Sequence, residues 1–288
     1  MPGVILALVA RPDVAPRTLA ACRGLAGLMG GARINVLAIR QPPDSTILPT
    51  EEILTRHQTQ EIRGREEARV AALRAAFDAW VETARGPAIA IEWTDIEGMA
   101  DSLVTEWGRR ADFIVLNRPA RADRGSDRLE MQAALFDTDR PVLVVPGRHA
   151  VLPPLPIGEC VAIAWRDDKR TVRAVLAALR LLSHAREVHV LAGLREGTPE
   201  PGLPAILAEH GIQAKLHVLP LGPPLGPEAH LNKAAGAFGE TLLAAAHQVG
   251  ADMLVMGAYT HNRWREMVLG GVTQYMLSRA DLPVLMRH

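Results

Sequence analysis

Aromatic side chains are scarce in this chain of 288 residues: five Trp, two Tyr and four Phe, or 4%. A core built from it has to be aliphatic, and 48% hydrophobic content suffices for one large core or two medium ones. Cysteine is nearly absent. Cys22 and Cys160 stand far apart with no CxxC pair, which excludes a disulfide framework and a zinc pattern. Net charge is missing too, since 32 Lys and Arg balance 32 Asp and Glu. Without a basic excess the chain lacks the footprint of a nonspecific nucleic-acid binder. No apolar run approaches bilayer-spanning length, so no membrane partner is expected. The opening residues, Met1-Pro2-Gly3-Val4-Ile5-Leu6-Ala7, carry no basic region and read as a strand rather than a signal peptide. A cytoplasmic location is the expectation.

Catalytic signatures are equally sparse. There is no GxxxxGK phosphate loop and no GxSxG elbow. His184, His189, His210, His217 and His230 show no ligand spacing, so neither a metal nor a catalytic residue is assigned.

What is present is alternation. Val4–Ala10 is a continuous apolar run and reads as a buried strand. Thr18–Met29 is rich in Ala and Leu and reads as a helix ending at Gly30-Gly31. Strands are expected at Ile34–Ile39, Ala88–Trp93, Phe113–Leu116 and Pro141–Val145, with helices over 50–84 and 100–110. The first of these helices carries Val70, Leu73, Phe77 and Trp80 on one face, and the second turns Leu103, Val104 and Trp107 inward. Pro153-Pro154-Leu155-Pro156 reads as a linker, after which the pattern restarts. Strands are expected at Cys160–Trp165, Val188–Ala192, Lys215–Leu219, Met253–Met256 and Leu282–Met286, and helices at Thr171–Leu182 and Ala234–Val249. Gly193–Gly202 and Gly222–Gly226 read as connecting loops. This order argues for α/β architecture, parallel sheets with helices on both faces.

Segments of the two halves can also be matched directly. Ala111-Asp112-Phe113-Ile114-Val115-Leu116 mirrors Ala251-Asp252-Met253-Leu254-Val255-Met256, and Asp139-Arg140-Pro141-Val142-Leu143 mirrors Asp281-Leu282-Pro283-Val284-Leu285. The chain is a tandem duplication, with domains at 1–150 and 158–288.

Ala251–Arg287 carries the site pattern. A short strand ends at Gly257; a polar loop with Thr260, His261, Asn262 and Arg263 follows; Gly270-Gly271 then precede a helix bearing Val272 and Thr273. A phosphate needs backbone N–H groups aimed at it and no Cβ in the way, and a helix N-terminus adds free donors and partial positive charge. The plain alternative is that these glycines only form turns.

This stretch resembles the C-terminal signature of the universal stress protein (UspA) family. The nucleotide-binding members carry Gly, two residues, Gly, nine residues, Gly, then Ser or Thr. Gly257 and Gly270 fill the first and third positions. Thr260 stands at the second glycine and Gly271 at the Ser or Thr, which adds a side chain to the loop and removes a hydroxyl donor. The resemblance implies two tandem Rossmann-like domains of the adenine nucleotide alpha hydrolase-like type, each a five-stranded parallel sheet in the order 3-2-1-4-5. It implies ATP, with or without Mg²⁺, as ligand, little or no catalysis, and a stress-response role. It implies too that the last strands pair at sheet edges, between the two halves as an intrachain pseudo-dimer or between chains as a homodimer.

Carried onto this sequence, the ligand-binding residues are Gly257, Thr260, Arg263, Gly270, Gly271, Val272 and Thr273, with Val190 or Leu191 near the base. Family binders often carry an acidic residue near the ribose at the end of the first strand. Trp165-Arg166-Asp167-Asp168 puts Arg166 there, so Asp167 or Asp168 would reach the ribose, or else cap the following helix. Ala10-Arg11-Pro12-Asp13 is altered at the same place. Counted without gaps, Gly257 falls on Asn117 and Gly270-Gly271 on Arg128-Leu129, and Glu130 would put a negative charge at that helix start. The first half therefore reads as a degenerate domain. Arg118, Arg121, Arg124 and Arg128 forming a separate anion site is the alternative, against a plain solvated loop. For the whole protein the rival to nucleotide binding is a structural, interaction or small-ligand sensor module of the same fold.

Overall fold

A computed structural model of the chain describes residues 3–43, 55–83, 89–119, 126–147, 157–221, 231–258 and 271–288. The chain divides into two compact units, Met1–Arg148 and His149–His288. The first unit comprises β1 (Gly3–Leu8), α1 (Ala15–Leu28), β2 (Ala32–Arg40), α2 (Arg56–Thr83), β3 (Ile91–Glu97), α3 (Ala100–Gly108), β4 (Phe113–Asn117), α4 (Ser126–Phe136) and β5 (Val142–Val145). Its strands are all parallel, in the order β3-β2-β1-β4-β5. The second unit repeats this with β6 (Cys160–Trp165), α5 (Lys169–Leu182), β7 (Glu187–Leu194), α6 (Ala205–Glu209), β8 (Lys215–Pro220), α7 (Leu231–Gln248), β9 (Met253–Gly257), α8 (Gly271–Arg279) and β10 (Val284–Arg287). Its parallel order is β8-β7-β6-β9-β10. Both units thus have the 3-2-1-4-5 order.

The sequence explains the central strands directly. β1 and β6 have a strand on each side and helices over their faces, so they are apolar throughout, with Ile5, Ala7, Val161, Ala162 and Ile163 wholly buried. β3 and β8 have a neighbour on one side only within their units. There exposed and half-buried positions are interspersed, as Thr94-Asp95-Ile96-Glu97 illustrates. α5 buries Thr171, Ala174, Val175, Ala178, Leu181 and Leu182, a single stripe at helical spacing. α2 is mostly solvated and buries only Val70, Leu73 and Phe77, whose ring packs 5.2 Å from Trp93. Trp80, Leu103 and Trp107, expected on the inward faces, are half-buried. α1 carries a proline in its first turn and ends at Gly30 and Gly31 with φ of 67° and 110°, left-handed values that a Cβ opposes. α6 falls where no helix was expected, being too short for a periodic pattern.

The repeated Ala-Asp before β4 and β9 has a structural cause. Asp112 accepts from the Val4 N–H at 2.8 Å and its own N–H donates to the Val4 carbonyl, at 2.8 Å. Asp252 accepts from the N–H groups of Gly158, Glu159 and Cys160 at 2.6, 2.9 and 3.1 Å, and its N–H donates to the Cys160 carbonyl at 2.8 Å. In each unit this aspartate ties the start of the fourth strand to the start of the first.

Candidate functional site

In the second unit β6 and β9 lie side by side, Ala164 level with Met256. The chain leaves β6 towards β7 and leaves β9 towards β10, on opposite sides. The crevice beyond the C-terminal ends of two such strands is the ligand position of open α/β sheets. β9 exits at Gly257 hard against the start of α5. A Cβ on Gly257 would sit 2.9 Å from the Thr171 nitrogen and 3.0 Å from the Arg170 carbonyl carbon. Glycine is therefore required at this exit to let the helix N-terminus close on the strand.

Asp168 caps that helix. Its Oδ1 accepts from the N–H groups of Arg170 and Thr171 at 3.0 and 2.8 Å and from the Thr171 hydroxyl at 3.1 Å. Its Oδ2 takes the Arg166 guanidinium, with Nε at 2.7 Å. Burial works to raise the Asp168 carboxyl, but the Thr171 N–H and Arg166 outweigh it, and the net direction is down. Of the two readings for Asp168, the structure supplies the helix cap. Asp167 is exposed at the crevice rim. Gly271 opens α8, with Val272 half-buried and Thr273 buried behind it. Val190 and Leu191 lie in the middle of β7, Val190 between Ile163 and Leu216, and are 0% and 1% exposed. Neither presents surface to the crevice. Thr260, His261, Asn262, Arg263 and Gly270 lie outside the described residues.

The corresponding crevice of the first unit lies between β1 and β4 and is partly open to solvent. Its polar lining is Arg11, Thr18, Asn117, Arg118, Asp127 and Glu130, over walls that include Leu8, Val9, Val14 and Leu116. Arg11 is held by Asp13 at 2.7 Å, the same arginine–aspartate pair, two residues apart, as Arg166–Asp168. Asn117 stands at the position of Gly257 and donates from Nδ2 to the Pro146 carbonyl at 3.3 Å, which leaves Oδ1 buried and without a partner. Arg118 and Arg128 both engage other groups, while Arg121 and Arg124 lie outside the described residues.

Glu130 corrects the sequence reading. It sits in the second turn of α4 and is only 5% exposed. Burial, then the Asp127 charge, push its carboxyl up to about 8, against the pull of Arg69. It is mostly neutral at neutral pH, and the negative residue in the first turn is Asp127.

Sequence reasoning missed Arg69. Its guanidinium donates to the carbonyls of Ala10 and Ile39 at 2.8 and 2.5 Å and to Glu66 at 2.7 Å, clamping the ends of β1 and β2. Glu66 in turn accepts from the Gln41 N–H at 3.1 Å. The one sign in the sequence was Glu66 three residues before Arg69 on a helix, a spacing shared with many solvated pairs. A second missed cluster joins β7 to β8. His189 Nδ1 is 2.9 Å from His217 Nε2, and His189 Nε2 is 3.5 Å from Glu187, which Lys215 also holds at 2.9 Å. Among the described residues no group of three or more His, Cys, Asp or Glu could hold a metal ion, and no helix is long and apolar enough to cross a membrane.

Residues 160–288 match the sequence model of the universal stress protein family. They are a universal stress protein domain. The likeness of fold extends over the whole chain. A universal stress protein from Archaeoglobus fulgidus is 16% identical with a TM-score of 0.65, over 99% of this chain and 95% of that one. A putative universal stress protein from Pseudomonas aeruginosa is 14% identical with a TM-score of 0.59, over 99% and 92%. The cytoplasmic domain of a prokaryotic cation chloride cotransporter is 13% identical with a TM-score of 0.52, over 99% and 94%. No curated protein matches the sequence. Both units therefore carry the universal stress protein fold.

Proposed function

We propose that the second unit binds an adenine nucleotide, ATP with or without Mg²⁺, and acts as a stress-response regulator whose conformation or partner choice follows occupancy. The observation that carries this is Gly257, an exit from β9 that admits no Cβ, set at the β6–β9 switch point of a universal stress protein domain. The residues assigned to the phosphates are Gly257, Thr260, Arg263, Gly270, Gly271, Val272 and Thr273, through backbone N–H groups and the α8 N-terminus. Asp167 is assigned to the ribose. Val190 or Leu191 is assigned to packing near the base, from within the core rather than at the crevice surface. ATP brings its own reactive phosphoanhydride. The role assigned to the site is binding, with little or no turnover.

A specific observation favours the rival reading of an interaction or small-ligand module. Asp168 already occupies two N–H groups at the α5 N-terminus, and a carboxylate at that point opposes a second anion.

Calorimetric titration of the whole protein with ATP and Mg²⁺, repeated on Gly270→Val, separates the two. Saturable binding of about one ATP per chain, lost in the variant, supports the nucleotide reading. Binding of about two per chain contradicts a degenerate first unit. No heat at millimolar ATP moves the assignment to the interaction module.

A further inference from the structure

The crevice of the first unit is not an empty version of its counterpart, because its chemistry is reversed. Where the second unit has Gly257, the first has Asn117, whose amide orientation is fixed by its bond to the Pro146 carbonyl. That orientation turns Oδ1 away as a buried acceptor with no donor. Glu130, more than nine-tenths buried, lines the same crevice. Among the described residues no hydrogen bond or ion pair reaches its carboxyl. A buried amide oxygen without a donor is costly to leave so, and the largely buried Glu130 side chain opens on the same crevice with no protein partner among the described residues. The two at one cleft, above the apolar side chains of Leu8, Val9, Val14 and Leu116, ask for one thing: a ligand bearing hydrogen-bond donors.

We propose that this crevice binds a small cationic amine or amidinium compound, its charged donors held by the Glu130 carboxylate and Asn117 Oδ1 and its methylenes against the apolar wall.

The charged surroundings agree with a cation. From its own helix Glu130 faces Asp127, and from α2 it faces Glu66 and Arg69, the latter already committed to Glu66 and two carbonyls. At the rim Arg11 is neutralised by Asp13, and Arg118 engages another group. A polyphosphate entering the crevice would meet the negative charge of Asp127. The proposal concerns the first unit alone and does not rest on nucleotide binding by the second.

Proton balance provides the test. With its carboxyl pushed up to about 8, Glu130 holds a proton at neutral pH. Binding a cation there releases that proton to solvent, and above about pH 9 there is none to release. The probe is agmatine, which has a guanidinium at one end and an ammonium at the other. It is titrated into the full chain by calorimetry near pH 7 and near pH 9, each in two buffers of different ionisation enthalpy. The expected result is one agmatine per chain, about one proton released near pH 7 and about none near pH 9, with affinity about tenfold or more higher at the upper pH. Glu130→Gln is expected to weaken binding by about tenfold or more and to abolish its pH dependence, while ATP titration is unchanged. No heat with millimolar agmatine at either pH overturns the proposal. So does binding without proton release, which is read on the unaltered protein, or agmatine displaced by ATP, which would assign it to a nucleotide site.

Discussion

Gly257 and Thr171 touch through their backbones: a Cβ on Gly257 would stand 2.9 Å from the Thr171 nitrogen. The neighbour is the first turn of α5, fixed by the Asp168 cap, and it has no flexible side chain to move aside. Gly257→Ala is expected to push α5 off β9 and lower stability by about 1–3 kcal/mol, the usual range for forced overpacking. Urea unfolding followed by circular dichroism measures this without nucleotide. A neutral result would mean that the strand exit has room, and the argument for a pre-shaped crevice would lose its footing.

Asp252 and Asp112 occupy one place in the repeat but carry different loads. Asp252 accepts three backbone N–H groups, from Gly158, Glu159 and Cys160, whereas the Asp112 carboxylate accepts the Val4 N–H. Asp252→Ala leaves several donors without their acceptor at the start of β6. It is expected to cost about 1–3 kcal/mol, and Asp112→Ala less. Amide exchange over residues 158–160 in the first variant and at Val4 in the second localises each loss. Equal protection losses in the two variants would contradict the unequal load.

How much of this was legible beforehand depended on whether a feature repeats along the chain or is assembled across it. The strands at Val4–Leu8, Cys160–Trp165 and Met253–Met256 are unbroken apolar runs, and parallel strands buried on both faces must be so. The Asp112 and Asp252 match was visible because each does its work within a few residues of a strand start. Glu130 was misread because its position on a helix gives spacing, not depth; its 5% exposure is set by tertiary packing. Arg69 was invisible because its carbonyl partners, Ala10 and Ile39, lie 59 and 30 residues away. That Asp168 caps α5 was not legible either, because only local geometry shows its carboxylate turned into the helix N-terminus.

The histidine pair on β7 and β8 predicts acid sensitivity of the second unit. Burial first, then the positive charge of His217 and Lys215, hold His189 below its ordinary value, with Glu187 opposing. A base whose folded value is lowered binds its proton more weakly in the native state. Its contribution to stability is present above about pH 6.5 and lost as the pH falls through the lower folded value, at no more than about 1.4 kcal/mol per pH unit. Urea midpoints measured from about pH 7 down to about pH 5 should fall in the unaltered protein and fall less in His189→Gln. Parallel curves for the two would remove His189 as the cause.

Glu130 predicts the opposite pH trend in the first unit. Its carboxyl lies near 4.5 when unfolded and near 8 when folded, so the native state holds a proton that the unfolded chain has released. Stability is unaffected below about pH 4.5 and declines as the pH rises from there to about 8, by up to about 1.4 kcal/mol per pH unit. Glu130→Gln keeps the shape and cannot ionise. Its advantage over the unaltered protein should therefore widen from about pH 5 to about pH 8 and then level off. Chemical denaturation without any ligand, at three pH values across that window, measures the gap. A constant gap would mean that Glu130 titrates as an ordinary solvated carboxylate, and that the crevice it lines is wetter than its packing indicates. An amine bound at the crevice should shrink the gap at the alkaline end by favouring the charged carboxylate, which links this stability measurement to the binding one.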